Sequence, residues 1–208
     1  MQDLKKGYSE FRANFEDHKK LFEDLVENGQ HPKTFFVTCS DSRVVPSLIT
    51  NTTAGDLFVA RNIGNFIPPF DPQNKYPATE AALEYAVSAL KVENIVICAH
   101  SECGAIATLF KDIKADDTNI HIVNWLALGK EAKDKANKEM QGKSLAEIRD
   151  FTEKVNAVIQ LKNLLTYPAV KQRVESGELK LYAWHYNIKT GEILCYDEEK
   201  QEYLPLNS

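Results

Sequence analysis

The segment VTCSDSRVVP places a thiol, a carboxylate and a guanidinium, those of Cys39, Asp41 and Arg43, within five consecutive positions. A second reactive segment, HSEC, contains His100 and Cys103 further along the chain. Thiolates and imidazole nitrogens are the ligands that Zn²⁺ prefers in proteins. Cys39, His100 and Cys103 therefore form a candidate metal-binding set, provided that the fold brings the two segments together.

Three protein ligands favour a catalytic metal over a structural one. A catalytic zinc keeps one position of its tetrahedron open, whereas a structural zinc takes a fourth cysteine or histidine. The two remaining cysteines, Cys98 and Cys195, lie inside strand-like patterns and are interpreted as core residues. Asp41 and Arg43 could form a surface ion pair, which would add little stability, but their position beside Cys39 favours a functional role.

A nucleophilic cysteine is an alternative chemistry, and the spacing argues against it. Phosphatases built on a reactive cysteine close their phosphate loop with an arginine six residues after the thiol, whereas Arg43 comes four residues after Cys39. The glycines form neither G-x-x-x-x-G-K nor G-x-G-x-x-G. A non-catalytic zinc or redox module would need a C-x-x-C pair or a fourth soft ligand, and the sequence offers neither.

The elements that must position these residues alternate between strands and helices. Both reactive segments end apolar runs of strand type, and functional groups in open parallel sheets gather beyond the carboxyl ends of the strands. The predicted strands are TFFVTC, DLFVAR, NIVICAH, LKLYAWHYNI and EILCYD, the last two joined by KTGE in a hairpin. The predicted helices are Asp3–Asn28, ATEAALEYAVSAL, Asn119–Met140 and Ser144–Ser176. The segment GNFIPPFDPQNKYP carries four of the eight prolines and is predicted to be a long ordered loop or a lid.

This order of elements predicts a single α/β domain over residues 1–208. We expect a mostly parallel central β-sheet flanked by helices, with a late antiparallel strand and an extended N-terminal helix. A chain of 208 residues is long enough to bury one sizeable core.

Composition narrows the classes of function. The net charge of −5 gives no basic footprint, so no nucleic-acid partner is expected. No apolar run approaches the roughly 20 residues that span a bilayer, and the charged N-terminal segment lacks the apolar core of a signal peptide. We therefore expect a cytoplasmic protein without a membrane partner, whose four cysteines are reduced.

The two reactive segments, CSDSRV and HSECGA, together with FVARNIGN between them, resemble the corresponding motifs of the β-class carbonic anhydrases. The resemblance extends over essentially the whole chain. It implies a zinc enzyme that interconverts CO₂ and bicarbonate, with Cys39, His100 and Cys103 as the metal ligands. It also implies that Asp41 orients the nucleophile and that Arg43 holds Asp41 by charge-assisted hydrogen bonds. Without that hold, Asp41 could become a fourth zinc ligand in a closed, inactive state.

The same resemblance implies a substrate pocket and an oligomer. Gln30, Phe58 and Tyr85 match residues that line the CO₂ pocket from the neighbouring subunit, and Ile63 and Gly104 complete the pocket. A homodimer, or a dimer of dimers, is therefore expected, with the N-terminal helix as a clasp around the partner.

One position departs from the pattern of some family members. Their regulatory bicarbonate site uses a tryptophan three residues before the zinc cysteine, where this chain has Phe36, although Arg61 and Tyr186 match its other two residues. Phenylalanine cannot donate the indole hydrogen bond, so we expect no such site and an open metal centre. A hydrolase of carbonyl sulfide or carbon disulfide is the alternative function, because these linear molecules suit the same pocket and metal.

Overall fold

The computed structural model describes residues 1–74 and 77–206. Its strands are β1 Thr34–Cys39, β2 Leu57–Asn62, β3 Asn94–His100, β4 Lys180–Tyr186, β5 Ile193–Asp197 and β6 Glu202–Pro205. Its α-helices are α1 Gln2–Ala13, α2 Glu16–Glu27, α3 Pro46–Thr50, α4 Ala78–Glu84, α5 Gly104–Leu109, α6 Ile120–Leu126, α7 Lys130–Glu139, α8 Leu145–Leu164 and α9 Pro168–Glu175. Short 3₁₀ turns at Ile63–Asn65 and Ala127–Gly129 and a π-helical turn at Tyr85–Ala89 complete the elements.

The strands form one six-stranded sheet in the order β2-β1-β3-β4-β5-β6. The first four strands in that order are parallel, and the last two are antiparallel additions at one edge. The predicted α/β class and mostly parallel sheet are confirmed. β1 and β3 are nearly continuous apolar runs because helices or loops cover both of their faces.

The main core lies between the sheet and α8. It contains Phe35, Val37 and Ile97 from the central strands, all fully buried, against Ala157 and Leu164 of α8. The start of α8 is fixed by a capping box: Ser144 Oγ accepts from the Glu147 N–H, while the Glu147 carboxylate accepts from the Ser144 N–H. The helix packs on the sheet from Thr152 to Leu164, and through Glu153 it reaches Cys103, near the edge where β1 and β3 end.

The N-terminal helical segment differs from the prediction in one detail, because α1 and α2 are separated at Asn14 and Phe15. The break brings the Phe22 ring to 6.4 Å from Phe11, with Phe15 5.6 Å from both. In a straight helix, eleven residues span about 16 Å, so Phe11 and Phe22 could not touch. Tertiary packing of three aromatic rings overrides helical continuity here.

The two long C-terminal helical patterns are also interrupted. The pattern Asn119–Met140 is divided into α6 and α7 by the 3₁₀ turn, and the pattern Ser144–Ser176 breaks before Pro168. Tyr167 is extended, at φ −80° and ψ 120°, because proline disfavours helical geometry in the residue that precedes it. Strand β6 is absent from the predicted set.

The proline-rich segment between the 3₁₀ turn and α4 has no strand or α-helix among its described residues. Lys75 and Tyr76, which the loop prediction included, lie outside the described residues. Within the described part of the chain, no helix combines the length and apolarity that a bilayer crossing demands.

Candidate metal centre

The three candidate metal ligands converge at the carboxyl edge of the sheet. Cys39 is the last residue of β1, His100 is the last residue of β3, and Cys103 immediately precedes α5. Their ligand atoms all lie within 4.8 Å of one another, and the three residues are at most 5% exposed. In a tetrahedral zinc site with ordinary bond lengths, neighbouring sulfur and nitrogen ligands are about 3.6–3.8 Å apart. The group therefore fits a single metal ion.

The ring of His100 is oriented for coordination. Its Nδ1 lies 2.9 Å from the Ser101 carbonyl oxygen, which can only accept, so Nδ1 carries the proton. That choice leaves Nε2 with a lone pair, and Nε2 is buried without a hydrogen-bond partner among the described residues. An orphaned, buried imidazole nitrogen beside two cysteine sulfurs is the arrangement that a metal ligand requires.

Hydrogen-bond donors already point at the two sulfurs. A hydrogen bond from the Cys103 thiol outweighs the effect of burial and lowers the pKa of Cys39 to about 4, and the Gly64 N–H, which lies 3.4 Å from Sγ, lowers this pKa further. The same contact and burial raise the pKa of the Cys103 thiol, whereas N–H groups in the first turn of α5 lower it. The pocket thus favours thiolate on Cys39, the form that binds metal.

Gly64 can approach Cys39 only because it lacks a side chain. Its φ is +78°, and a Cβ at this position would lie 2.8 Å from the Phe66 ring and 3.0 Å from Ala105 Cβ. Any other residue would be strained and would push the loop, and with it the amide donor, away from the sulfur.

Asp41 and Arg43 form a bidentate ion pair beside the centre. Arg43 Nε donates to Oδ1 at 3.0 Å and a terminal guanidinium nitrogen donates to Oδ2 at 2.8 Å. The Arg43 backbone N–H also donates to Oδ1, at 2.9 Å. These bonds hold the pKa of Asp41 well below its usual range, with the Arg43 side chain as the main cause. A further bond from Arg43 to the Glu102 carbonyl, 3.1 Å long, ties this pair to the His100–Cys103 segment.

Arg61 fixes the loop that carries Cys39 and Asp41. Its guanidinium donates to the Cys39 carbonyl at 3.1 Å and to the Asp41 carbonyl at 2.7 Å.

Phe36, which takes the place of the tryptophan found in some family members, is buried in β1, with its ring 5.9 Å from that of Trp184 in β4. Tyr186 is the last residue of β4, where it pairs with His100 of β3, and it packs against the buried cluster formed by Phe36, Val96 and Cys98.

The predicted pocket residues divide into two groups. Ile63 and Gly104 adjoin the centre: Ile63 precedes Gly64 and helps to line a cavity of about 780 Å³ that also borders Ser40, and Gly104 follows Cys103. Phe58 lies four residues before Asn62, the β2 residue that pairs with Cys39, so it is about 13 Å further down the strand.

Phe58 contacts Tyr85 rather than the centre, with the two ring centroids 5.7 Å apart. Tyr85 is 51% exposed, and Gln30 is exposed in the connection before β1. A single chain therefore keeps Phe58 and Tyr85 away from its own candidate metal ligands, and it leaves Gln30 exposed.

Both remaining cysteines lie in strands, and the predicted core position is confirmed for Cys98 only. Cys98 is fully buried in β3, and burial raises the pKa of its thiol to about 12. Cys195 is half-buried in β5, opposite Trp184.

Three residues that support the centre are not among the candidates drawn from the sequence: Gly64, Glu153 and Asn156. Gly64 has a signal, since it is a glycine shortly after a strand. Glu153 and Asn156 have none, because polar residues in a helix ordinarily face solvent.

Comparison with known proteins agrees with this geometry. The family model described as carbonic anhydrase matches residues 34–193. A carbonic anhydrase of Helicobacter pylori strain J99 is 40% identical over 204 residues, covering 96% of this chain and 92% of that protein. Beta carbonic anhydrase 3 of Arabidopsis thaliana is 35% identical, covering 92% of this chain and 74% of that protein.

The structure of the β-carbonic anhydrase CcaA superposes with a TM-score of 0.93 at 39% identity, covering all of this chain and 92% of that one. Two tetrameric β-carbonic anhydrases from Sordaria macrospora provide a further match, with a TM-score of 0.78 at 26% identity, 100% of this chain and 95% of that one. The chain belongs to the carbonic anhydrase family, as the resemblance to its β class predicts. It is therefore an enzyme of the lyase type.

Proposed function

We propose that this enzyme catalyses the zinc-dependent, reversible hydration of CO₂ to bicarbonate and a proton. The observation that carries the proposal is the position of the Asp41–Arg43 pair beside the Cys39, His100 and Cys103 ligand atoms. A metal-ligand set with an open position and a fixed carboxylate next to it is suited to directing water at a small electrophile.

Cys39, His100 and Cys103 would hold the zinc ion through two thiolate sulfurs and His100 Nε2. Zinc would act as a Lewis acid that lowers the pKa of water, so that hydroxide, the nucleophile that attacks CO₂, is available near neutral pH. Two thiolates cancel the formal charge of Zn²⁺, so this centre is a weaker acid than one held by three neutral imidazoles. The surrounding residues must therefore contribute to orienting the nucleophile.

Asp41 has one acceptor position available for that task. Its Oδ1 accepts two N–H groups of Arg43, whereas Oδ2 accepts one N–H among the described residues. An ionised carboxylate oxygen has two acceptor sites, so Oδ2 can accept a proton-bearing nucleophile while Arg43 keeps the carboxylate in place. Because Arg43 satisfies the charge of Asp41, it also keeps Asp41 from becoming a metal ligand.

Ile63 and Gly104 form the part of the substrate pocket that this chain supplies itself. Small apolar surfaces suit CO₂, which is uncharged. We assign Gln30, Phe58 and Tyr85 to the pocket of the neighbouring subunit, since a single chain holds Phe58 and Tyr85 away from its own candidate ligands and leaves Gln30 exposed. The homodimer is then the smallest complete unit, and a dimer of dimers would resemble the tetrameric relatives from Sordaria macrospora.

Stopped-flow CO₂ hydration on protein of measured zinc content tests the proposed function. We expect turnover that scales with zinc occupancy and that disappears when a chelator removes the metal. Zinc-loaded protein that does not hydrate CO₂ would contradict the proposal. Hydrolysis of carbonyl sulfide or carbon disulfide by such protein would favour the alternative function on the same centre.

A second prediction concerns assembly. Light scattering at assay concentrations should give a dimer or a tetramer, because the pocket needs side chains from two chains. Substituting Tyr85 by alanine should raise KM with little change in zinc content, since Tyr85 lies outside the metal ligands of its own chain. A fully active monomer would contradict the shared pocket.

A further inference from the structure

One face of α8 carries a row of polar side chains where a core-facing helix is ordinarily apolar. The spacing of three, four and three residues places them on the same side of the helix. The first three are buried, with exposures of 2%, 1% and 0%, and the last is half-buried. We call these residues the α8 polar row: Glu153, Asn156, Gln160 and Asn163.

Two members of the α8 polar row end on backbone groups next to the two sulfurs. Glu153 Oε1 accepts the Cys103 N–H at 2.9 Å. Asn156 Nδ2 donates to the Gly64 carbonyl at 3.2 Å, and the Gly64 N–H points at Cys39 Sγ. Neighbouring side chains on one helix therefore reach the backbone of one metal ligand and the amide donor of the other.

Each of these two side chains is held by a second partner. The other carboxylate oxygen of Glu153, Oε2, lies 3.2 Å from Nε2 of His185, which is itself 2% exposed. Asn156 Oδ1 accepts from Gln160 Nε2 at 2.9 Å, and Gln160 Oε1 accepts the Ile67 N–H at 2.8 Å. Glu153 and Asn156 therefore cannot rotate without breaking a second buried hydrogen bond.

Burial of these groups has an energetic consequence. A buried carboxylate or amide that loses a partner costs about 1–3 kcal/mol, and more when it is charged. A core filled by apolar side chains would avoid that risk. The hydrogen bonds of Glu153 and Asn156 have defined geometry and are costly to break. Such bonds are suited to fixing the position of the backbone groups on which they end, at Cys103 and Gly64.

We propose that Glu153 and Asn156 are positioning residues of the metal centre, which set Cys103 and the amide donor to Cys39 and thereby control how slowly the metal is released. This inference rests on the metal site of the proposed function. The remaining members, Gln160 and Asn163, attach the same helix to Ile67, further from the ligands.

The test is the rate at which a chromogenic chelator removes zinc from Glu153→Ala and Asn156→Ala. Loss of groups that orient metal ligands typically costs about 10–100-fold in metal affinity, so we expect release to accelerate by about that factor. Loading the same variants with Co²⁺ should shift the sulfur-to-cobalt charge-transfer bands, which report the geometry of the two thiolates. A change in fold stability alone would not move those bands in the folded protein.

Asn163→Ala is the matched control, because it removes an amide from the same row whose bond ends on the Ile67 carbonyl at 2.8 Å. This control should destabilise the protein without changing the cobalt spectrum or accelerating zinc release. Glu153→Gln should restore slow release, since its amide oxygen can still accept the Cys103 N–H and its NH₂ group can donate to the other tautomer of His185.

The inference would be overturned if Glu153→Ala and Asn156→Ala both released zinc at the rate of Asn163→Ala and gave the same cobalt spectrum as that control. If Glu153→Ala does not fold, Asn156→Ala against Asn163→Ala decides. A parent protein that binds zinc but does not hydrate CO₂ would overturn the proposed function, while the release rates still judge the positioning role. A parent that binds no zinc would overturn both.

Discussion

Cys39→Ser should empty the metal site, abolish CO₂ hydration and lower the melting temperature in one step. The hydroxyl of serine is a poor zinc ligand compared with a thiolate, and Cys39 is the residue whose environment most favours the thiolate form. Ligand binding to the native state at about 1,000 times its Kd stabilises that state by about 4 kcal/mol. Zinc content by elemental analysis, turnover by stopped-flow CO₂ hydration and the melting temperature should therefore all fall together.

Cys195→Ser is the control for this substitution. It makes the same chemical change in β5, at a half-buried thiol outside the ligand set. The control should keep zinc and activity and should unfold near the parent temperature. Full zinc content in Cys39→Ser would remove this residue from the metal site.

Arg43→Ala should leave zinc bound but reduce turnover by about 10²–10⁴-fold, the usual contribution of a positioned acid–base or orienting group. Arg43 supplies the three described hydrogen bonds to the Asp41 carboxylate, two of them from its side chain. Without the guanidinium, Asp41 can satisfy its charge on the metal and close the open position. Activity and zinc content, measured on the same sample, separate this effect from loss of metal.

Asp41→Ala distinguishes two causes of lost activity: an open metal position that Asp41 blocks, and a nucleophile that Asp41 no longer orients. This variant should also keep zinc and lose activity, but its open position should still accept a small anion such as azide, whereas that of Arg43→Ala should not. Lys143→Ala provides the comparison, because it breaks an exposed ion pair with Glu147 that contributes little. Near-normal turnover of Arg43→Ala would contradict the role of the pair.

The central strands were predictable because their pattern is local. TFFVTC and NIVICAH are the observed β1 and β3 without a shift, and DLFVAR differs from β2 by one residue. TFFVTC and NIVICAH are short apolar runs rich in β-branched residues, a composition typical of buried parallel strands. Once parallel strands are predicted, Cys39 and His100 are expected at the same edge of the sheet, so the candidate ligand set could be proposed from the sequence.

The features that could not be predicted depend on tertiary contacts. The break between α1 and α2 comes from three rings that meet only after folding. Glu153 and Asn156 have the period of a solvated helix face, and only the docking of α8 turns that face towards the metal centre. Strand β6 is short and ends in proline, which weakens its strand signal. The cytoplasmic location stays a prediction of the sequence.

The bonds from α8 have a consequence for the order of events during folding. The contact of Glu153 with Cys103 closes a loop of 50 residues, and that of Asn156 with Gly64 closes one of 92. Contacts between such distant parts of a chain carry a loop-closure entropy cost that slows their formation. All three candidate metal ligands leave the ribosome well before α8, so a nascent chain would present thiols and imidazole before it has the framework that we propose retains zinc. Durable metal loading would then belong to the completed chain rather than to its growing N-terminal half.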